Sequence, residues 1–273
     1  MLDDRLRQPA LLQTMHLGET KVSFVPDGAA QGNPRLWLPD STAETWAERL
    51  EYLDDDGYLV ASIGGLLVER DDRALLIDAG FGPQSVPAEP GAPNGLLYGG
   101  ALPDNLAALG RKPEDIEAVA LTHLHSDHIG WASQPTAFTQ AEFLVPEPEW
   151  AQREASAEID ALAPQVRTVQ DGEEVFPGVQ VRFAAGHTPG HSEYVIAAGG
   201  QRLIAFGDAA HSPVQIENPD WSCVYDHDRV EAASHRRKLV AELAEPGTIG
   251  FGNHFADVVF GHVRDGRWHP LDR

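Results

Sequence analysis

The segment LTHLHSDHIG places His123, His125, Asp127 and His128 within six positions. If a strand ends here, His123 and His125 point to the same side, because side chains alternate along a strand. The turn that follows can then direct Asp127 and His128 toward a second point. One short segment can therefore supply two neighbouring metal ions, as two-metal hydrolases require. A solvated loop is the alternative, but three histidines at this spacing favour metal binding.

Three further motifs supply the ligands that a pair of metal ions still needs. The loop AAGHTPGHSEY, whose course is shaped by glycine and proline, contains His187 and His191. In LIAFGDAAH, Asp208 follows a predicted strand, where a carboxylate can bridge two cations. In FGNHF, His254 occupies a comparable loop. The four motifs together predict a metal site built from distant parts of the chain.

In sequence order, the motifs HLHSDH, GHTPGH, FGDAAH and GNHF resemble those of the metallo-β-lactamase-fold hydrolase superfamily, over nearly the whole chain. The resemblance implies an α/β fold, a four-layer αββα sandwich with a dinuclear centre at the edge of its two sheets. It implies the following ligands: His123, His125 and His191 for one ion, Asp127, His128 and His254 for the other, and Asp208 between them. It also implies that His187 supports the site without binding metal, and that Asp78 hydrogen-bonds to a ligand histidine. A turn or helix-cap role is the alternative for Asp78.

The implied ligands indicate both the metal and the chemistry. Five histidines and two carboxylates suit two divalent ions per chain, zinc first, with cobalt, manganese or iron as alternatives. Two such ions lower the pKa of a shared water to about 7, so that a bridging hydroxide can attack an electrophilic carbon or phosphorus. We expect Asp127 to act in catalysis by accepting and passing on a proton while it remains a ligand.

The stretch AFGDAAHSPVQIENPDWSCVYDHDRVEAASHRRKL is similar to the methyl parathion hydrolase-like branch of the superfamily and to its quorum-quenching lactonase neighbours. These lactonases typically carry a tyrosine three residues after the bridging aspartate, and here that position is His211. We therefore predict that His211 is catalytic through contact with the substrate or the leaving group. A purely structural role is the alternative.

Five aromatic residues near the motifs are together candidates for a substrate pocket, although a single aromatic residue belongs more often to the core. They are Phe81, Trp131, Trp221, Tyr225 and Phe255. Such a pocket favours a small, largely apolar ester, lactone or phosphotriester as substrate. A thioesterase or β-lactam-type amidase on the same scaffold is the alternative enzyme. A non-catalytic metal-binding relative is the alternative outside enzymes.

The elements that must position these residues alternate between strand hairpins and helices. Residues 58–82 and 193–208 read as hairpins, and residues 227–247 as an amphipathic helix stopped by Pro-Gly. Each histidine motif lies beside a predicted strand, which favours loops along one sheet edge. We predict a single domain over residues 1–273. Residues 1–40 could form a dimer arm, and so a homodimer, or a pocket lid.

Composition narrows the partners to a small-molecule substrate. The formal net charge is -22, which would repel the phosphate backbone of nucleic acid. No apolar run approaches the roughly 20 residues of a membrane span, so no membrane partner is expected. The first residues lack the pattern of a secretory signal, so we expect a cytoplasmic protein. The single cysteine, Cys223, excludes a cysteine-rich zinc site.

Overall fold

The computed structural model describes residues 2–272, which form two β-sheets and several short helices. The strands of the first sheet are β1 (Gln13–Leu17), β2 (Thr20–Gly32), β3 (Leu59–Arg70), β4 (Arg73–Ile77), β5 (Ser85–Val86), β6 (Asn94–Tyr98), β7 (Ala118–Ala120), β8 (Glu142–Pro146) and β9 (Val166–Val169). Those of the second are β10 (Glu174–Phe176), β11 (Val179–Phe183), β12 (Ser192–Ala198), β13 (Gln201–Ala205), β14 (Thr248–Phe251), β15 (Phe260–Arg264) and β16 (Arg267–Pro270). The α-helices are α1 (Leu2–Arg5), α2 (Pro34–Trp37), α3 (Ala43–Ala47), α4 (Leu102–Ala108), α5 (Ser126–Ile129), α6 (Glu147–Gln152), α7 (Ala157–Leu162), α8 (Val214–Glu217) and α9 (Arg229–Leu243). The predicted hairpins and the predicted C-terminal helix are thus present.

The order of strands brings several strand ends to one edge. The first sheet runs β5-β6-β2-β3-β4-β7-β8-β9, with β1 beside β2, and the second runs from β10 to β16 in chain order. Strand β4 is parallel to β7, and β13 is parallel to β14. Because parallel neighbours end at the same edge of a sheet, the loops that follow each pair lie together, which is where α/β proteins bind ligands.

Buried side chains divide into layers according to the alternation of the strands. Leu66 of β3 and Leu203 of β13 belong to one buried cluster, which lies between the two sheets. Leu67, one position along from Leu66, instead packs against Leu106 of α4 on the outer face of the first sheet. Leu239 of α9 packs on the outer face of the second sheet. The order is therefore helix, sheet, sheet, helix, which confirms the predicted αββα sandwich.

The N-terminal segment is part of the first sheet. Strand β2 pairs with β3 from Lys21–Glu69 to Gly32–Leu59 and also pairs with β6. Residues 13–17 and 20–32 are therefore strands of this sheet, and the role of residues 1–40 as a dimer arm or a pocket lid stays a prediction. The single domain and the homodimer remain predictions.

Asp27 is a buried carboxylate that holds three loops of the first sheet together. Its Oδ1 accepts hydrogen bonds from the backbone N–H groups of Gly100 and Leu102 and from Nε1 of Trp131, and its Oδ2 from the backbone N–H groups of Phe81 and Gly82. These distances are 2.7–3.0 Å. The loop after β4, the start of α4 and the segment after α5 are thus fixed to one side chain.

None of the helices formed by residues 2–272 has both the length and the apolar character that a bilayer crossing requires.

Candidate metal centre and adjoining cavity

The candidate ligands come from loops at the shared edge of both sheets. Strand β7 of the first sheet leads to His123, and the short helix α5 carries Asp127. Strand β13 of the second sheet leads to Asp208, and β14 leads to His254. Because β13 and β14 are parallel neighbours, their two loops meet opposite the loop after β7. The residues of HLHSDH therefore meet Asp208 and His254, which lie at least 80 residues further along the chain.

The first group of ligand atoms comes from His123, His125, His187 and Asp208, all within 4.8 Å of one another. Nε2 of His187 lies 3.1 Å from Nδ1 of His125 and 3.2 Å from Oδ2 of Asp208. Nε2 of His123 lies 3.7 Å from the same Oδ2. Three imidazoles and one carboxylate with converging lone pairs are a donor set that zinc accepts.

The second group comes from Asp127, His128 and His254. Nε2 of His128 and Nε2 of His254 are 3.3 Å apart. Oδ2 of Asp127 lies 3.9 Å from the first of these atoms and 3.6 Å from the second. Both histidines are buried, while Asp127 is partly exposed at the side of the site. This group is the right size to hold a second ion.

The carboxylate of Asp208 lies between the two groups. Its Oδ1 is 3.1 Å from Nε2 of His128 and 3.1 Å from Nε2 of His254, whereas its Oδ2 faces the first group. Oδ1 of Asp208 and Nε2 of His123 are buried and make no hydrogen bond with the described residues. Buried polar atoms seldom lack a partner, so cations bound at these two groups fit the residues present.

The pKa shifts of these residues also favour a bound cation. Burial, together with the neighbouring His187, lowers the pKa of His125 to about 4. Burial also acts to lower the pKa of His187, but Asp208 and Asp226 outweigh it and raise that pKa to about 9. At Asp208, burial opposes ionisation, yet the surrounding histidines, with His254 first, hold its pKa well below its usual range. Asp208 is therefore ionised, and its negative charge stabilises a positive charge beside it, either a proton on His187 or a metal ion.

The structure corrects the assignment of the two histidines in GHTPGH. His191 was expected to bind metal, but Nδ1 of its ring donates to the carbonyl of Ala184 at 3.0 Å, and Nε2 accepts from the backbone N–H of Asp208 at 3.0 Å. Neither nitrogen of His191 has a lone pair left for a cation. His187, expected only to support the site, lies in the first group instead. Burial, together with His187, lowers the pKa of His191 to about 3, so its ring stays neutral.

Hydrogen bonds at Nδ1 orient the rings of three candidate ligands. Nδ1 of His128 donates to Oδ2 of Asp78 at 2.8 Å, which is the contact predicted for Asp78. Nδ1 of His187 donates to Oδ1 of Asp226 at 3.0 Å, and Nδ1 of His254 donates to the carbonyl of Ser62 at 2.8 Å. A proton fixed on Nδ1 leaves the lone pair on Nε2, toward the site.

Two of these supports depend on further residues. Asp78 has a φ of 61°, in the left-handed region, and its Oδ1 accepts from the backbone N–H of Thr122 at 2.8 Å. Asp226 also accepts from Arg236 at 3.2 Å, and Arg236 is fully buried in α9. Arg236 of α9 thus holds Asp226, and Asp226 in turn holds the ring of His187. Sequence reasoning missed Asp226 and Arg236, because neither lies within a histidine motif.

A cavity of about 260 Å³ opens beside the two groups. Its lining away from the candidate ligands comes from Ala30, Trp37, Asn94, Leu97, Ser126, His211 and Tyr225. Of the five predicted pocket aromatics, only Tyr225 lines it. Trp37, from the segment NPRLWLP, forms its aromatic wall and was not predicted to do so.

The other four predicted aromatics serve the core or its edge. Phe255 is buried against Phe206, with ring centroids 5.2 Å apart. Phe81 is buried, and Trp131 donates to Asp27, away from the cavity. Trp221 packs beside Trp46, with ring centroids 6.1 Å apart. Their placement in a substrate pocket was therefore wrong.

His211 lies between the metal groups and the cavity. Its Nε2 is 3.2 Å from Oδ2 of Asp208, and its ring stacks on His254 at 5.8 Å between centroids. Neither ring nitrogen makes a hydrogen bond with the described residues, although both are buried. The edge of Trp37 faces the same ring at 6.3 Å. Because His211 also lines the cavity, a substrate bound there would lie beside its ring.

Replacing His211 with Ala is expected to lower kcat/KM by about 100-fold while two metal ions stay bound, because the lost group would act on the substrate rather than on metal. Steady-state kinetics together with elemental analysis of the same protein preparation measure both quantities. An unchanged kcat/KM at intact metal content would leave His211 with a structural role. Loss of one ion would instead make it a ligand.

Comparison with known proteins gives consistent results. Residues 66–247 match the family model described as the metallo-beta-lactamase superfamily. An N-acyl homoserine lactonase from Bacillus sp is 27% identical over 249 residues, which cover 85% of this chain and 92% of that relative. Another from Bacillus cereus is 26% identical over 203 residues, covering 68% of this chain and 79% of that protein.

Two solved structures have the same fold. One is AidC, a dizinc quorum-quenching lactonase in complex with a product, with a TM-score of 0.82, 23% identity, and coverage of 96% of this chain and 98% of that chain. The other is the hydrolase AbOPH of the beta lactamase superfamily, with a TM-score of 0.79, 25% identity, and coverage of 98% and 99%.

Proposed function

Because the chain belongs to the metallo-beta-lactamase superfamily, as its motifs indicated, we propose that it is a dinuclear metal-dependent hydrolase that opens lactone rings. The observation that carries the proposal is the carboxylate of Asp208, with one oxygen toward each group of ligands, beside a cavity with apolar walls. The lactonases among its relatives support this reaction class, and N-acyl homoserine lactones are the first substrates to test.

Seven residues would hold the two ions. They are His123, His125 and His187 for the first, Asp127, His128 and His254 for the second, and Asp208 for both. Two divalent ions there would lower the pKa of a water molecule and withdraw electrons from the ester carbonyl. Zinc suits these nitrogen and oxygen donors best. The remaining chemistry comes from the side chains around them.

The side chains at the cavity divide the work of proton transfer and binding. Asp127 is partly exposed and lines the cavity, so it can take the proton of the attacking water as the new C–O bond forms. When the ring C–O bond breaks, Asp127 can return that proton to the leaving alkoxide, which completes hydrolysis to a hydroxy acid. His211, which lines the cavity, would hydrogen-bond the substrate carbonyl or the leaving oxygen.

Metal dependence is the first test. We expect purified protein to hold two ions per chain, to lose activity on treatment with a chelator, and to regain it with zinc, because both groups are needed to activate water and substrate. Bound ions should also raise the thermal unfolding temperature, since they bind only the folded state. Full activity of protein with fewer than two ions would contradict the dinuclear proposal. Cobalt and manganese reconstitution compares the alternative metals.

A substrate panel then tests the reaction class. It includes an acyl-homoserine lactone, an aryl ester, a phosphotriester, a thioester and a β-lactam, each with the zinc-loaded protein. We expect the lactone to have the highest kcat/KM. Activity confined to the thioester or the β-lactam would favour the alternative enzyme on this scaffold, and no hydrolysis by the metal-loaded protein would favour a non-catalytic relative. A cytoplasmic location remains a prediction from the sequence.

A further inference from the structure

One wall of the cavity beside the metal groups is held together by the amide side chain of Asn94. Oδ1 of Asn94 accepts a hydrogen bond from Nε1 of Trp37 at 2.7 Å and another from the hydroxyl of Tyr225 at 3.1 Å. These three residues come from α2, from the start of β6 and from the loop before α9. Asn94 therefore ties three separate segments into one wall.

These contacts determine which way the amide of Asn94 points. An indole N–H can only donate, so the atom that faces Trp37 must be the amide oxygen. The second donor, from Tyr225, occupies the same oxygen. The NH₂ group must then point away from both aromatic residues. Among residues 2–272 it has no hydrogen-bond partner, and it is not among the polar atoms sealed from solvent.

The indole of Trp37 cannot easily shift to release Asn94. A Cβ atom at Gly32 would lie 2.2 Å from the indole ring, so the ring packs directly on the backbone of β2. Gly32 is also the residue that pairs with Asn94 between β2 and β6. The amide and its first donor are therefore fixed on the same pair of strands.

Asn94 lies in a largely apolar part of the cavity wall. Away from the candidate ligands, His211 and Ser126, the cavity is lined by Ala30, Trp37, Asn94, Leu97 and Tyr225. Ala30 and Leu97 are apolar, and the donors of Trp37 and Tyr225 are already used on Asn94. A substrate arm that lies here meets apolar walls and the side chain of Asn94, whose amide orientation is set by Trp37 and Tyr225.

Resting on the proposed lactonase function, we propose that Asn94 is a specificity-determining residue that donates a hydrogen bond to a carbonyl oxygen on the arm of the substrate. The preferred substrates are then lactones whose ring carries an acylamino arm with an apolar chain. Simple alkyl lactones lack that acceptor and leave the NH₂ group of Asn94 without a partner once water is displaced. Phosphotriesters without a carbonyl arm are disfavoured for the same reason.

Replacing Asn94 with Asp isolates the donor, because a carboxylate still accepts from Trp37 and Tyr225 but has no NH₂ group. The experiment compares kcat/KM of the zinc-loaded protein for an acyl-homoserine lactone and for a γ-alkyl lactone of equal chain length. We expect N94D to lower kcat/KM for the first by about 10- to 100-fold and for the second by less than about 3-fold. Any general loss of folded or metal-loaded protein would lower both values equally, so the ratio of the two is the measurement.

The matched control is Tyr225→Phe, which removes one donor to Oδ1 while Trp37 still fixes the amide. We expect this variant to reduce the ratio by less than about 5-fold. If N94D changes kcat/KM equally for both lactones, the assignment of Asn94 is overturned and the lactonase function still stands. Hydrolysis of neither lactone by the unmodified protein would overturn the lactonase function and this assignment with it.

Discussion

Replacing His187 with Ala is expected to reduce bound metal from two ions to one per chain and to lower kcat/KM by at least about 100-fold. Loss of a residue that only orients a ligand typically costs 10- to about 100-fold in affinity or activity, so loss of a ligand should cost more. His187 has its Nε2 within 3.2 Å of both His125 and Asp208, and its Nδ1 proton is already placed on Asp226. Elemental analysis after gel filtration gives the stoichiometry.

His191→Gln is the matched comparison in the same loop. Both ring nitrogens of His191 are used in hydrogen bonds with backbone groups, and a glutamine amide can replace one donor and one acceptor. We expect this variant to keep two ions, with lower stability and a smaller loss of activity, since His191 holds the backbone of Asp208. One ion in His191→Gln and two in His187→Ala would restore the assignment that the sequence motif first implied.

Replacing Asp27 with Ala is expected to lower the free energy of unfolding by about 3–5 kcal/mol, because five N–H donors lose a shared, buried and ionic acceptor. Chemical denaturation followed by tryptophan fluorescence measures this change. Asp27→Asn keeps one acceptor oxygen, so its free energy of unfolding should lie between those of Asp27→Ala and the unmodified protein. Asp104→Ala changes an exposed carboxylate in the first turn of α4 and should cost less than about 1 kcal/mol.

The carboxylate of Asp27 also affects the metal centre. The loop that it holds after β4 accepts hydrogen bonds from the end of α5, through Gly130 to Gly80 at 2.8 Å and Trp131 to Ala79 at 3.0 Å. A destabilised Asp27→Ala protein should therefore also bind the second ion more weakly. An Asp27→Ala variant as stable as the unmodified protein would contradict this role of the carboxylate.

The sequence predicted those features that depend on local pattern. Alternation along β3, β4 and β7 requires only nearby residues, and it placed Asp78 and His123 at strand ends that parallel pairing brings together. The αββα layering follows from the same alternation, as Leu66 and Leu67 show by facing opposite layers. Asp208 and His254 were predictable for the same reason.

The features that were predicted wrongly depend on how a loop runs in space. His187 and His191 are four residues apart in one loop, and spacing cannot rank them. The choice depends on distant contacts, such as Asp226 at His187 and the close approach of Gly190 to the backbone of Glu149. Phe255 and Trp131 follow ligand motifs directly, yet their side chains point into the core and toward Asp27.

The wall of Trp37, Asn94 and Tyr225 lies outside every histidine motif, on stretches of chain that supply no candidate ligand. Changes there would leave the ligand groups at the strand ends intact. Under the proposed function, the residues that hold the metal ions and the residues that select the substrate therefore lie on different stretches of the chain. Such a protein can acquire a new substrate range through a few substitutions in α2 and β6, without passing through forms that have lost their reactivity.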